Sequence, residues 1–440
     1  MRETFSGRRV LIVAQRPQGF VEHVDHLRTV GVDDIFLLAV EGNGAGPAPD
    51  VPMLLLDPPE GLSMMEMLRY GSTVLADLPA GALAALAEFD PDRSAVVVTE
   101  FLNEVPEVDG RPTLAHRRPE WVALEDKTVI DRFWDDAGIT RAPSMVVPLA
   151  AAPGAAARLD EGHGTVWAAD ARDGFHGGGT GTFWVVDDAS SRAAVSGLSP
   201  MCDSVRVMPF LEGTPCSIHG IVLPDGVAAL RPVEMVTLRR GTDLVYAGCA
   251  TFWDPPADVR ESMRAMVRRA GERLRAQVGF RGTFTIDGVV TDRGFLPSEL
   301  NPRFGVGILV ISRAAELPIM MVNELIVAGV DIGLTAEELE DELVSAADAR
   351  RGGGTWKAGA TPEMSVEERH VTRRDDRFAW AEDGDEVAGT VVAGPGFARC
   401  LFEPDAVRVG PSVAPLAAGF WAFADRKLGT GLGPLTAARS

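Results

Sequence analysis

Short apolar runs alternate with amphipathic segments over the first 115 residues. The runs typical of buried strands are "RRVLIVAQ", "VDDIFLLAV", "PMLLLD" and "SAVVVTEF". Helical spacing appears between them in "GFVEHVDHLRTVG" and "SMMEMLRYGSTVLADL". This order predicts a small α/β unit built on a parallel sheet. No carboxylate or cysteine pattern accompanies His23 and His26 on the first helix, so we expect both to face solvent.

Different periodicities follow the α/β unit. "LEDKTVIDRFWDDAGITRAP" predicts a helix that Lys127 opens, and the local pattern alone makes Lys127 a solvated lysine. "TVWAADARDGFHGGGTGTFWVVDD" predicts a strand, a glycine-rich turn and a second strand. Several antiparallel strands and the amphipathic helix "DVRESMRAMVRRAGERLRAQVG" come next. Beyond about residue 350 the composition shifts to a loop and short strand candidates.

The stretch "FLPSELNPRFGVG" places Glu299, Asn301 and Arg303 at every second position, so an extended chain aims all three at one face. Asp287 lies on the preceding strand of the same predicted hairpin, where it can face Glu299. Two carboxylates and an amide oxygen are hard ligands that suit Mg²⁺. The alternative is an acidic sheet surface. Asn301 and Arg303 favour a site, because a cation beside such carboxylates suits a transferring phosphoryl group.

Length, composition and charge limit the kind of protein and the kinds of partner that this sequence predicts. The chain has 440 residues, which predicts two to four domains, and its 46% hydrophobic and 24% charged residues are ordinary for a soluble protein. A formal charge of −21 makes nucleic acid and anionic membrane poor partners. The four widely spaced cysteines predict buried or free thiols in a cytoplasmic protein rather than a disulfide frame.

Two further motifs carry little weight alone. The loop "DGFHGGGTGT" can cradle phosphate through backbone N–H groups, but glycine-rich hairpin turns are commoner, and it matches neither a Walker nor a Rossmann loop. Ser217 and His219 in "TPCSIHG" share one face of a predicted strand. They lack an accompanying acid or oxyanion motif, so we do not expect a hydrolytic triad.

Taken together, the order of these features resembles the ATP-grasp superfamily of carboxylate–amine ligases, over roughly residues 1–330. "FRGTFTID" and "SELNPR" are its most specific parts. "TPCSIHG", "YAGCATFWDPP" and the extra C-terminal region look most like the pheganomycin-type peptide ligases of natural product biosynthesis. The resemblance implies an α/β (α+β) ATP-grasp fold with an N-terminal pre-ATP-grasp domain at 1–115. Central and lid domains would span 116–345, with the lid at about 143–212, and a C-terminal extension would span 346–440.

The same resemblance assigns candidate residues. Asp287, Glu299 and Asn301 match magnesium ligands, and Glu299 and Arg303 are the candidate catalytic residues, with Arg303 neutralising the acyl phosphate. The candidate ATP-binding residues are Lys127, Arg172, Gly177, Gly178, Gly179, Gly181, Phe210 and Leu211. The implied cofactors are ATP and Mg²⁺.

The lid departs from the family pattern. The strand before the glycine loop normally carries a phosphate-binding lysine, where this chain has Ala168 and Ala169. Pro209 stands where a glutamate usually precedes the aromatic residue. Arg172 and His176 flank the loop, and we select Arg172 as the replacement cation because it is charged at any working pH and can bind phosphate oxygens in a bidentate way. The alternative is that Arg172 is a solvated turn residue.

The expected reaction joins a small-molecule carboxylate, activated as an acyl phosphate, to the amine of an amino acid or peptide, with release of ADP and phosphate. One alternative keeps the fold and makes another C–N product. A second is a nucleotide-binding protein that has lost catalysis. Identities of the substrates and the oligomeric state, with a homodimer among the alternatives, stay open.

Overall fold

The structure is a computed structural model of the whole chain. It describes residues 1–42, 47–59, 61–62, 64–172, 179–358, 367–375, 377–394 and 397–437. Contacts divide the chain into two compact units. The first is Met1–Pro119 with Pro318–Leu334, and the second is Glu120–Leu317 with Thr335–Ser440.

The first unit is the predicted α/β unit. Its elements are α1 (Arg2–Phe5), β1 (Val10–Ala14), α2 (Val21–Thr29), β2 (Ile35–Ala39), β3 (Met53–Leu55), α3 (Met64–Ala76), α4 (Ala80–Phe89), β4 (Val96–Thr99), β5 (Glu107–Val108) and β6 (Arg111–Pro112). Four strands pair in parallel in the order β3-β2-β1-β4, which confirms the predicted parallel sheet. Every residue of β1 and β4 is buried, because the sheet is covered on both faces, and this explains their unbroken apolar runs.

Residues 318–334 complete the core of this first unit, although the sequence assigned them to the central domain. Met321 and Leu325 pack in the same core cluster as the sheet residue Ile12. Glu324 on this segment approaches His23 Nε2 to 3.6 Å. His23 is only 4% exposed, so the expectation that it faces solvent is wrong. Burial lowers the pKa of His23 to about 4, so the ring is neutral in the folded core.

The second unit opens with a short helical stretch and a four-stranded sheet, here called the lid sheet. The elements are α5 (Pro119–Val122), a 3₁₀ turn at Ala123–Glu125, α6 (Ile130–Asp136), β7 (Met145–Pro148), α7 (Ala152–Leu159), β8 (Thr165–Ala169), β9 (Thr182–Val185), α8 (Asp188–Leu198) and β10 (Ser204–Pro209). The lid sheet is antiparallel in the order β7-β10-β8-β9. The pairing of β8 with β9 confirms the two predicted strands. Residues 173–178 of the predicted glycine-rich turn between them lie outside the described residues.

A large antiparallel sheet, here called the central sheet, forms the rest of the second unit. The elements that follow the lid are β11 (Thr214–Val222), β12 (Val227–Ala229), β13 (Val233–Arg240), β14 (Asp243–Ala250), α9 (Ala257–Val278), β15 (Gly282–Thr291), β16 (Gly294–Asn301), α10 (Val306–Ala314), α11 (Ile319–Ala328, in the first unit), α12 (Ala336–Ala349), β17 (Gly353–Ala358), β18 (Glu367–Arg374), β19 (Arg377–Trp380), β20 (Gly389–Gly394), β21 (Phe397–Phe402), α13 (Ala414–Leu428) and β22 (Thr436–Ala437). Its main path runs β16-β15-β11-β13-β14-β17-β21-β20-β18-β19. Because β17 pairs with β14, the C-terminal strands continue the central sheet.

All four cysteines are buried and free, as their spacing predicted. Within the described ranges, no single helix is long and apolar enough to cross a membrane, although two sharply bent helix pairs meet the test by length and composition.

Candidate active site

The hairpin of β15 and β16 aligns the predicted carboxylates. Asp287 is the direct cross-strand partner of Glu299, which confirms that the two residues face each other. The register shifts just beyond them, because Gly288 pairs with Pro297 and leaves Ser298 as an extra residue. Such a bulge twists the strand locally and re-aims the side chains beside it.

Asp287 is held by two hydrogen bonds. Ser217 on β11 lies opposite Asp287 and donates from Oγ to Oδ1 at 2.5 Å. Asn301 Nδ2 donates to Oδ2 at 2.9 Å. Burial, and then the negative charge of Glu299, raise the pKa of Asp287 to about 6. A carboxylate in this position gains from any cation that approaches it.

Two cations reach the same point. Lys127 Nζ lies 3.3 Å from Glu299 Oε1. Arg303 donates from Nη2 to Asn301 Oδ1 at 2.9 Å and from Nε to Glu125 Oε1 at 3.0 Å. Five of the residues singled out from the sequence therefore converge: Lys127, Asp287, Glu299, Asn301 and Arg303.

Lys127 reaches the site from a turn rather than from a helix, so the prediction that it opens a helix is wrong. The helix α6 begins at Ile130, three residues later. The Asp126 carboxylate accepts hydrogen bonds from Thr128 N at 2.8 Å and from Thr128 Oγ1 at 2.6 Å. Acidic side chains that bond the backbone two residues on stabilise a turn at the expense of the helix.

Sequence reasoning missed two members of this cluster. Glu125 orients Arg303 and is 8% exposed, and Ser217 orients Asp287. The available signals were weak. Glu125 directly precedes "DK", and Ser217 shares a strand face with His219, which was considered only as part of a hydrolytic triad.

The glycines after Arg303 have a packing cause. A Cβ built on Gly307 would lie 2.2 Å from His219 Nε2, and one on Gly305 would lie 2.3 Å from Thr285 Oγ1. His219 Nδ1 and Thr285 Oγ1 are themselves 2.8 Å apart, and burial lowers the pKa of His219 to about 3. The chain can pass this neutral pair closely only without side chains, which explains the glycine-broken turn in "FGVG".

Only some of the candidate ATP-binding residues of the lid lie within the described residues. Gly177 and Gly178 lie outside the described residues, as does His176. Gly179 and Gly181 have φ values of 86° and 71°, a left-handed conformation that favours glycine and leads the chain into β9. Arg172 donates from Nη1 to Asp203 Oδ1 at 2.8 Å and from Nη2 to the Pro200 carbonyl at 2.6 Å. Its predicted contact with phosphate stays a prediction.

Phe210 and Leu211 lie where the lid sheet joins the central sheet. Phe210 stacks on Trp184 of β9 with ring centroids 4.2 Å apart, and the Arg239 guanidinium lies 5.0 Å from both ring centroids. Leu211 packs in an apolar cluster with Leu296 of the hairpin. The remaining members of that cluster are Ala142, Val166, Met208 and Val289. This apolar cluster packs the lid sheet against the hairpin.

The described residues contain no group of three or more His, Cys, Asp or Glu side chains that could hold a metal ion. The cluster supplies two carboxylates and one amide. A metal here needs further oxygen ligands from a bound molecule, which is the usual way that proteins hold Mg²⁺ with nucleotide phosphates.

Comparison with known proteins identifies the fold. No protein-family model matches the chain, and no curated protein matches it significantly. Among solved structures, the carboxyaminoimidazole ribonucleotide synthase of Aspergillus clavatus complexed with ATP is 11% identical, with 96% of this chain and 99% of that chain covered at a TM-score of 0.55.

Two further solved structures are similar over most of the chain. The N5-carboxyaminoimidazole synthetase of Staphylococcus aureus complexed with ADP is 12% identical, with 95% and 97% coverage and a TM-score of 0.54. The biotin carboxylase domain of the Hydrogenobacter thermophilus 2-oxoglutarate carboxylase, with MgADP and bicarbonate, is 13% identical, with 90% and 86% coverage and a TM-score of 0.55. The chain therefore has the ATP-grasp fold. At this level of identity the likeness shows the fold alone.

Proposed function

We propose that this protein is an ATP-dependent ligase that activates a carboxylate as an acyl phosphate and joins it to an amine, releasing ADP and phosphate. The observation that carries the proposal is the convergence of Lys127, Glu299 and Arg303 with Asp287 and Asn301 at one end of the hairpin. Two cations and two carboxylates around one point suit a phosphoryl group whose charge must be balanced by metal and protein together.

The donor set fits magnesium. Asp287, Glu299 and Asn301 offer only hard oxygen ligands, and their small number leaves room for phosphate oxygens. When bound, Mg²⁺ would offset phosphate charge and make the γ-phosphorus easier to attack. Solved structures of similar fold contain ATP in one case and MgADP in another, which supports the choice of ligands.

The protein's own side chains have separate tasks in this proposal. Lys127 leaves Glu299 to bind nucleotide phosphates. Arg303, fixed by Glu125, holds the negative charge of the acyl phosphate and then of the tetrahedral oxyanion that forms when the amine attacks. Ser217 holds Asp287 in the orientation that a metal ligand requires.

The lid has the task of excluding water. A mixed anhydride of a carboxylic and a phosphoric acid hydrolyses readily, so the reacting groups must be covered. In the proposal, backbone N–H groups of the loop at Gly177, Gly178, Gly179 and Gly181 cover the phosphates. The nucleobase lies against Leu211 and near Phe210, beside the apolar cluster between lid and hairpin.

The amine substrate is proposed to be an amino acid or peptide. This follows from the resemblance of "TPCSIHG" and "YAGCATFWDPP" to pheganomycin-type peptide ligases. The protein would act on small molecules in the cytoplasm, and its acidic surface makes nucleic acid a poor partner. The formation of a homodimer stays a prediction.

An amine-dependent turnover assay tests the proposal. Purified protein is incubated with ATP, Mg²⁺ and a panel of amino acids and short peptides, alone and in pairs, and phosphate release is measured. Release that requires a particular carboxylate and amine, with a condensed product of matching mass, is the expected result. Nucleotide that binds tightly without turnover across a broad panel would instead support a protein that has lost catalysis.

A further inference from the structure

The lid sheet has two distinct faces. One face packs against α7 and α8 through Met145, Val147, Trp167, Ala169, Phe183, Val185, Val205 and Val207. Because side chains alternate along each strand, the opposite face carries Val146, Val166, Ala168, Thr182, Trp184, Ser204, Arg206 and Met208. Val166 and Met208 of this second face pack against Leu296 of the hairpin, so the second face is the one turned toward the candidate site.

Strand register decides which alanine stands at the position of the missing lysine. Ala169 belongs to the helix-packed face and lies in the lid core, whereas Ala168 lies on the face turned toward the hairpin. The direct cross-strand partner of Ala168 is Arg206 on β10. Directly opposed residues in an antiparallel pair have Cβ atoms about 5 Å apart, so a cation on either strand serves the same region.

Arg206 is unusual within this sheet. It is the single charged residue in the four strands of the lid sheet, all of which lie within the described residues. Its side chain is 2% exposed. Burying a guanidinium is costly unless it is paired, so its presence in an otherwise uncharged sheet calls for an anionic partner.

The guanidinium points toward the hairpin. Nη1 donates to the Ser298 carbonyl at 3.2 Å, immediately before Glu299 in the chain. Ser298 Oγ in turn donates to the Asp287 carbonyl at 3.2 Å. The guanidinium thus bonds the residue next to Glu299, one of the proposed metal ligands, and it reaches that residue from the lid sheet.

Asp131 on α6 is the present anionic partner of this cation. Arg206 Nε donates to Asp131 Oδ1 at 3.0 Å, and Nη2 lies 2.7 Å from the same oxygen. Asp131 is also bonded by Ser144 Oγ at 2.5 Å and approached by Arg141 at 3.6 Å. It therefore keeps partners if Arg206 turns to another anion.

We propose that Arg206 supplies, from the neighbouring strand, the phosphate-binding cation that the lid lacks at Ala168. In this arrangement Arg206 exchanges Asp131 for the terminal phosphates of a nucleoside di- or triphosphate when the lid closes. Arginine suits the exchange, because its planar fork can bind two phosphate oxygens while other N–H groups keep the Ser298 carbonyl. The proposal rests on the proposed function, since it assumes that nucleotide phosphates bind at the hairpin.

The test separates phosphate binding from a structural role. Affinities for MgADP and for adenosine are measured by calorimetry on the full chain and on Arg206→Gln, which keeps hydrogen-bonding capacity and loses the charge. Arg206→Gln should weaken MgADP binding roughly 10- to 100-fold, the range expected for charged hydrogen bonds. Adenosine, which has no phosphate, should bind with the parent affinity.

Arg231→Gln is the matched control, because Arg231, like Arg206, is a buried arginine held in an ion pair. Its carboxylate partners are Asp254 and Asp348. It should lower the melting temperature and leave the preference for MgADP over adenosine intact. If Arg206→Gln likewise keeps that preference, Arg206 is structural and the inference is wrong. If the parent binds no MgADP at all, the proposed function fails instead.

A second variant leaves Arg206 in place. Ala168→Lys adds a second cation to the face turned toward the hairpin, and it should tighten MgADP binding while adenosine affinity stays at the parent value. MgADP affinity that is unchanged or weaker in Ala168→Lys would mean that this face does not meet the phosphates, and the inference would be overturned even if Arg206→Gln failed to fold.

Discussion

The hairpin of β15 and β16 and the lid sheet position their charges in contrasting ways. In the hairpin, Glu299, Asn301 and Arg303 follow each other at alternate positions, and Asp287 faces Glu299 across one turn. In the lid sheet a single charge, Arg206, meets Ala168 only through the pairing of β10 with β8. Sites made of near neighbours in sequence can be predicted from periodicity, whereas sites made by strand register require the structure.

The two regions also differ in how their charges are balanced. The hairpin cluster is mixed, since Lys127 and Arg303 accompany two carboxylates and Glu125. The lid cation is paired with Asp131 outside its own sheet. We therefore expect a change at Glu299 to affect turnover most, and changes at Lys127 and in the lid to affect nucleotide affinity.

The largest effect is expected from Glu299→Gln. The amide neither balances metal charge nor bridges as a carboxylate does, so turnover should fall by roughly 100-fold or more. Circular dichroism and thermal melts should stay close to those of the parent, because the Glu299 side chain is 23% exposed. Asp292→Asn, at the exposed turn of the same hairpin, is the control and should keep its activity. Substantial turnover of Glu299→Gln at saturating Mg²⁺ would exclude Glu299 as a ligand.

Lys127→Ala should have the next largest effect. The lysine lies at the hairpin and is proposed to bind phosphates directly, so the KM for ATP should rise roughly 10- to 100-fold. Steady-state kinetics over a range of ATP concentrations measure this. A variant with an unchanged KM for ATP would show that Lys127 serves only to pair with Glu299.

Arg172→Ala tests the lid prediction made from sequence, and its effect should be smaller. We expect a loss of about 1.5 kcal/mol in ATP binding, the lower end for a charged hydrogen bond. Arg172 is already bonded to Asp203 and the Pro200 carbonyl, which reduces what it can offer to phosphate. Arg192→Ala, an exposed lid arginine on α8, is the control. If both variants show the parent's ATP dependence, Arg172 has no role in nucleotide binding.

Periodicity predicted much of the fold and of the hairpin. The buried runs at β1 and β4 are continuous because their parallel sheet is covered on both faces, and the hairpin alternates because its site lies on one face. The ATP-grasp fold was implied by the resemblance of these features, in this order, to that superfamily. Glycine at 305 and 307 marked a turn, but the reason for it, close packing on His219, needed coordinates.

The features of the fold and of the site that the sequence did not predict depend on contacts between residues, most of them far apart in the chain. His23 reads as a polar residue on an amphipathic helix, yet Glu324 packs against it from a segment that the sequence placed in another domain. The Asp126 side chain bonds Thr128 and replaces the predicted helix start with a turn. Arg206 gave no local signal, since an arginine in "SVRVMP" is an ordinary strand residue until its partner strand is known.

The nucleotide product of turnover decides whether the proposed reaction takes place. The hairpin is proposed to serve transfer of the γ-phosphoryl group to a carboxylate, which leaves ADP. Turnover mixtures with ATP, Mg²⁺ and the substrates found in the panel are separated by chromatography, and the nucleotide and the phosphate species are quantified. The proposed transfer predicts ADP and inorganic phosphate in equal amounts. AMP with pyrophosphate would show an adenylate mechanism and contradict it.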